Sequence, residues 1–382
     1  MFKNLSSLPG TVWLLGTVSF FNDSASELVY AVLPLYIASM AGPGALGIIE
    51  GVAEAAGSLF KLFSGILSDR MGSGKGLVVA GYGIASVAKP MMALAASWPF
   101  ILVLRFLDRL GKGLRTSPRD AMLASSVEKE KRGLAFGFHR SMDNAGAVIG
   151  PLAASFLLAR NMTLRQVILF SGLLGIIVVM LALFLKEPKR MPVARQEFSW
   201  KLEGFPSAFR RYLVVLSIFT LGNSSNMFLL FRAKELGLQD YQVPLLWALM
   251  SFSAMLFSTP LSALSDRIGR STLIISGWII YGLFYLLMGF DGSTSLLWPL
   301  FAFYGLFMAA TEGAEKAYVA DFSGPEMLGA AYGWFNLVTG FMLLPASILF
   351  GSIWKFTGYG AAFAFAACCS LLASFLLKFW VK

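Results

Sequence analysis

The sequence carries little charge, almost no histidine and almost no cysteine. Only 14% of its 382 residues are Asp, Glu, Lys or Arg, against about 25% in a soluble domain, which excludes an ordinary water-facing globule. One histidine, His139, and two adjacent cysteines, Cys368 and Cys369, leave no basis for a disulfide framework or a metal site. No G-x-x-x-x-G-K-[ST] loop is present to cradle a nucleotide phosphate. No nucleophile, base and orienter can be read around His139, so the chain is not expected to be an enzyme and no cofactor is expected. The net charge of +10 is spread between apolar stretches rather than gathered on a basic face, so it orients the chain in a membrane and does not point to nucleic acid. Lys3 precedes a long apolar stretch without a small-residue cleavage pattern, as in a first membrane helix rather than a cleaved leader.

What is present is 57% hydrophobic residues and a mean hydropathy of +0.70. Apolar stretches between turn signals predict twelve membrane helices near 11–38, 46–67, 76–96, 99–122, 133–158, 165–186, 212–233, 242–264, 272–290, 295–318, 328–354 and 359–380. The fold class expected is therefore an all-α membrane protein. Cations concentrate in alternate connections, among them Arg70, Lys75, Lys129, Lys131, Arg132, Arg267 and Arg270, which places both termini in the cytoplasm. The longest polar break, 187–211, predicts a linker between an N-terminal six-helix bundle, 1–186, and a C-terminal one, 212–382. Across it the halves echo each other: Ser68-Asp69-Arg70-Met71-Gly72 is answered by Ser265-Asp266-Arg267-Ile268-Gly269. Likewise Gly133-Leu134-Ala135-Phe136-Gly137-Phe138 is answered by Gly329-Ala330-Ala331-Tyr332-Gly333-Trp334. Two matches in nearly the same register indicate a tandem duplication.

The run RFLDRLGKGLRTSPRD, Arg105 to Asp120, puts charge inside a predicted membrane helix. At about 100° per residue, Arg105, Asp108, Arg109, Lys112, Arg115, Arg119 and Asp120 fall within an arc of about 140°, opposite Val103, Phe106, Leu107, Leu110 and Leu114. A charge at the bilayer centre costs roughly 2.5–3.5 kcal/mol on insertion scales, so this face must line a hydrated cavity or meet partners, and a solute pathway is expected along it. Arg115, Arg119 and Asp120 equally suit a helix end reaching anionic headgroups.

Other ionisable groups fall at membrane depth. Asp23 lies about 18 Å along the first helix, near the midplane, with Glu27 one turn beyond, and both are candidate proton carriers. Asn22, Ser24 and Ser26 allow a purely structural hydrogen-bond network there instead. His139 and Asp143, spaced i,i+4 with Arg140 between, form a second candidate titrating pair. Glu50, Glu54 and Lys61 share a face of the second helix, and Glu50 equally suits a position at the outer interface. The second half offers Arg232, Glu312, Glu315 and Lys316, with Asn223 and Asn226 as hydrogen-bonding groups. Tyr304, Tyr332 and Trp334 are candidates to line a solute site, and Trp354 suits a belt or packing position.

Gly65-Ile66-Leu67-Ser68-Asp69-Arg70-Met71-Gly72-Ser73-Gly74-Lys75 matches every fixed position of G-x-L-x-D-R-x-G-x-x-K, and here the chain resembles the major facilitator superfamily. The second copy departs from it, with Ser262 for the first glycine. Gly146-Ala147-Val148-Ile149-Gly150-Pro151 is similar to the G-x-x-x-G-P element of that superfamily's antiporters, although Ala153 and Ala154 replace its final glycine pair, and it equally suits simple helix packing. Arg105 partly matches an R-x-x-Q-G element, with Asp108 and Arg109 in the Gln and Gly places. The resemblance implies two six-helix bundles that rock around a cavity lined mainly by helices one, four, seven and ten. It makes Gly65, Asp69, Arg70, Gly72, Lys75, Asp266, Arg267, Gly150 and Pro151 gating candidates. Arg105, Asp108, Arg109, Lys112, Arg140, Asn223, Asn226, Tyr304 and Glu312 are the cavity candidates. The expected function is proton-coupled efflux of a metabolite or drug-like solute through the inner or plasma membrane by a monomer. The alternative is proton-coupled uptake of an anionic metabolite, such as a carboxylate chelate or phosphate ester, attracted by the cationic face.

Overall fold

A computed structural model of the chain describes residues 8–71, 73–128, 132–186, 202, 204–290, 293–322 and 328–381. All regular structure among them is helical. The first half contributes α1 (Gly10–Ala38), α2 (Pro43–Met71), α3 (Lys75–Met91, extended by a 3₁₀ turn at Met92–Leu94), α4 (Trp98–Ser125), α5 (Arg132–Ala159) and α6 (Leu164–Leu183). The second contributes α7 (Ser207–Gly222), α8 (Met227–Glu235), α9 (Gln242–Ile268), α10 (Arg270–Phe290), α11 (Thr294–Asp321), α12 (Leu328–Thr357) and α13 (Tyr359–Phe379). Because α7 and α8 fall within one apolar span, Ser207–Glu235, the thirteen helices among the described residues make twelve spans.

The predicted continuous helix 212–233 is corrected here: it breaks between Gly222 and Met227. Asn223 leaves helical geometry at φ −89°, ψ 73°. Short polar side chains compete with the helix for backbone groups, and Ser225 Oγ indeed accepts from the Met227 N–H at 3.3 Å. The Glu50 side chain is fully buried and accepts a 2.9 Å hydrogen bond from Ser225 Oγ at the break.

The chain divides into two compact units. One holds the chain up to Met40, Val52 through α6, and Asp240–Ala248; the other holds Ala41–Gly51, α7 and α8, and everything from Leu249 onward. In the first, α4 is wedged between α2 and α3 by glycines. A Cβ on Gly113 would lie 2.8 Å from the Gly57 carbonyl, and one on Gly111 would lie 2.6 Å from the Gly81 carbonyl. The second unit repeats this seam at one residue offset: Gly81 packs against Gly111 and Arg115, and Gly277 against Phe307 and Thr311. The same offset relates Ser86 against Gly175 to Gly282 against Leu371, and sets Gly133 and Gly329 in the first turns of α5 and α12.

Gly269 joins α9 to α10 at φ +92°, a conformation open chiefly to glycine, and Lys75 opens α3. Gly72 and the linker positions 187–201 and 203 lie outside the described residues, as do the surroundings of Gly65 and the side chains of Asp69, Arg70, Asp266 and Arg267.

Candidate functional site

Arg105, Asp108, Arg109 and Arg115 on the polar face of α4 are buried, and most of the face's charge is met by charge. Arg105 and Asp108 pair at 3.0 Å across one turn, both within the core of the first unit. Lys89, 2% exposed near the end of α3, lies 3.8 Å from Asp108. Arg109 Nε reaches Glu54 of α2 at 3.0 Å, and Arg119 binds Asp120 through two nitrogens, at 3.0 and 2.8 Å. Lys112 and Arg115 have no carboxylate within ion-pairing distance among the described residues. Lys112 is exposed, and the Arg115 guanidinium lies 4.8 Å from the Tyr82 ring centre. Lys89 and Tyr82 were not singled out from sequence. A lysine inside a predicted membrane segment was a sufficient signal for the first; nothing marked the second.

The α1 carboxylates are held differently. Asp23 accepts from Asn22 Nδ2 at 2.8 Å, and Glu27 accepts from the Trp247 indole N–H at 2.7 Å. Neither has an ion-pair partner among the described residues. Trp247 also packs on Tyr30, with ring centres 4.8 Å apart, and its role was not legible in sequence. Helix α5 approaches α1 at these same two positions. A Cβ on Gly146 would meet the Phe20 carbonyl at 2.7 Å and Asp23 Cβ at 3.0 Å; one on Gly150 would meet the Ser24 carbonyl at 2.5 Å and Glu27 Cβ at 3.1 Å. The G-x-x-x-G-P element is thus the seat of α5 on the two carboxylates, and α5 continues helically through a buried Pro151. One turn toward the start of α1, Ser19 Oγ donates to Asp143 Oδ1, and His139 Nδ1 stands 3.4 Å from Asp143 Oδ2. Arg140 is exposed.

The second unit answers with hydroxyls and rings. Tyr304 is fully buried and donates to Asn226 Oδ1 at 2.7 Å. Tyr281 donates to the Gly222 carbonyl at 2.8 Å and stacks on Tyr285 at 4.1 Å, while Asn223 caps the end of α7. Glu315 accepts from the Trp278 indole at 3.0 Å, whereas Glu312 and Lys316 form a loose 3.8 Å pair between exposed side chains. Arg232 pairs with Glu235 at 3.7 Å and lies 3.5 Å from the Tyr359 ring centre. Trp354 packs against Phe228, Phe231, Phe350 and Phe363.

The sequence matches the family description "Major Facilitator Superfamily" over residues 12–252 and 212–382. It is 33% identical to an uncharacterized MFS-type transporter of Methanocaldococcus jannaschii, over 99% of this chain and 96% of that protein. It is 28% identical to the multidrug resistance protein MdtG of Klebsiella pneumoniae, over 73% and 71% of the two chains. A mutant of the nucleoside transporter NupG shares the fold with a TM-score of 0.83 at 14% identity, covering 97% of this chain and 99% of that one. A POT family transporter in complex with 5-aminolevulinic acid shares it at 0.82 and 12% identity, covering 97% and 96%. By its twelve spans, its doubled seam and these matches, the chain belongs to the major facilitator superfamily, whose members are membrane transporters and not enzymes.

Proposed function

We propose that the chain exports a small metabolite or drug-like solute in exchange for protons, by alternating access, as a monomer with both termini in the cytoplasm. Asp23 is the first candidate to carry the proton and Glu27 the second. The observation that carries this reading is the difference in how these carboxylates of the first unit are held. Glu54, Asp108 and Asp120 are bound to cations, so protonating any of them would break an ion pair and, at Glu54 or Asp108, strand a buried positive charge. Asp23 and Glu27 are bound to neutral donors, so a proton can come and go without breaking an ion pair. Such a site couples a gradient to a solute when its proton affinity differs between the two access states. The likeness to MdtG favours export. Uptake of an anion is less well supported, because most of the α4 cations that would attract it are already held by the chain's own carboxylates.

The test is transport in proteoliposomes under an imposed pH gradient. Asp23→Asn should abolish pH-driven accumulation while leaving solute exchange at equilibrium intact. If accumulation survives in both Asp23→Asn and Glu27→Gln, the proton is carried elsewhere, with His139 and Asp143 next in line.

A further inference from the structure

Lys89 is a buried charge to which the proposed cycle gives no role. Its Nζ donates to Asn22 Oδ1 at 3.2 Å and stands 3.8 Å from Asp108 Oδ1, while Asn22 Nδ2 donates to Asp23 Oδ1 at 2.8 Å. The four side chains form one chain across α1, α3 and α4. An ammonium carries donors and no acceptor, so the side of the Asn22 amide that faces it must be the oxygen. The amide NH₂ is thereby left pointing at Asp23. Were Lys89 absent, the amide could turn and offer its oxygen to the carboxyl, an arrangement that suits a protonated acid and opposes an ionised one.

We infer that Lys89 is a positioning residue for the proton site, acting through Asn22 to fix the donor that Asp23 meets. The inference rests on the reading of Asp23 as the proton carrier. The second unit holds a parallel device: Tyr304, at the residue offset of Asp108, turns the oxygen of Asn226 toward its own hydroxyl. Other charges act on the site. Asp23 also faces Lys112, Arg115 and Arg119 of α4, Asp143 of α5 and Glu27 on its own helix; Lys89 also faces Arg109 and Arg115. All of these stay in place when Lys89 or Asn22 alone is changed.

The test reads Asp23 directly in purified, full-length protein. A hydrophobic carbodiimide modifies protonated carboxyls, and peptide mass spectrometry locates the adduct at Asp23 as a function of pH. Lys89→Met and Asn22→Ala should each move the labelling midpoint by about one pH unit, in the same direction, and Lys89→Arg should keep it near that of the parent. A midpoint unmoved by Lys89→Met overturns the inference. So does one moved by Lys89→Met but not by Asn22→Ala, because Lys89 would then act through its charge alone. If Lys89→Met does not fold, Asn22→Ala decides, since it leaves Lys89 with Asp108, and an unmoved midpoint there also overturns the inference. Labelling needs no transport, so persistence of pH-driven accumulation in Asp23→Asn would sink the proton-carrier reading separately.

Discussion

Lys89 and Asp108 in the first unit, and Tyr285 and Tyr304 in the second, stand at the same residue offset as Gly81 and Gly277. In the first unit the pair joins an asparagine of α1 and an arginine; in the second, Tyr304 reaches an asparagine at the start of α8 and Tyr285 stacks on Tyr281. One helical seam therefore supports either an ionic filling or a hydroxyl filling. The difference matters for proton handling, because a phenol with an ordinary pKa near 10 keeps its proton at physiological pH, whereas carboxylates and their partners can exchange one. The comparison teaches that one packing geometry carries different chemistry at the same seam positions of the two units.

Asp108→Leu should break that contrast most severely. It leaves Lys89 and Arg105 buried without their shared carboxylate, and removing one partner of a buried ion pair costs about 3–5 kcal/mol. Thermal unfolding in detergent should show this loss, and Lys89→Met should cost less, because Asp108 keeps Arg105. Equal losses would mean that Lys89, not Arg105, is the main partner.

Gly150→Ala probes the seam between α1 and α5, where the added methyl would sit 2.5 Å from a backbone carbonyl. Overpacking of this kind costs about 1–3 kcal/mol, and transport should fall along with stability because the helix that moves carries Glu27. Ala346→Gly, at the matching offset in α12, should leave transport unchanged.

Tyr304→Phe should have the smallest effect. It deletes one interhelical hydrogen bond to Asn226, and such bonds in membrane proteins average about 0.6 kcal/mol. A loss comparable to that of Asp108→Leu would show that the hydroxyl filling is as constrained as the ionic one and would erase the contrast.

The scaffold was largely legible in the sequence because membrane helices write themselves as long apolar runs, and the repeat offset appears in short motifs. The one-turn spacing of Asp23 and Glu27 followed from helix rise alone, and the arc of charge on α4 from its periodicity. Pairing was not legible. That Glu54 takes Arg109, or that Lys89 takes Asn22, depends on which helices are neighbours, and no local pattern carries that information. The break at Asn223–Asn226 did leave a signal, four short polar residues in a row, which the surrounding apolar length concealed.

The charge on α4 also bears on how the protein enters its membrane during synthesis. Among the described residues, eight apolar helices are long and apolar enough to cross a membrane, and α4 is not among them. With each mid-helix charge opposing insertion by roughly 2.5–3.5 kcal/mol, α4 is a poor substrate for insertion by itself. Its outside partners, Glu54 on α2 and Lys89 on α3, are both translated before it. Chain order thus supplies the counter-charges first, so α4 can partition into the bilayer as part of a helical hairpin assembly instead of alone.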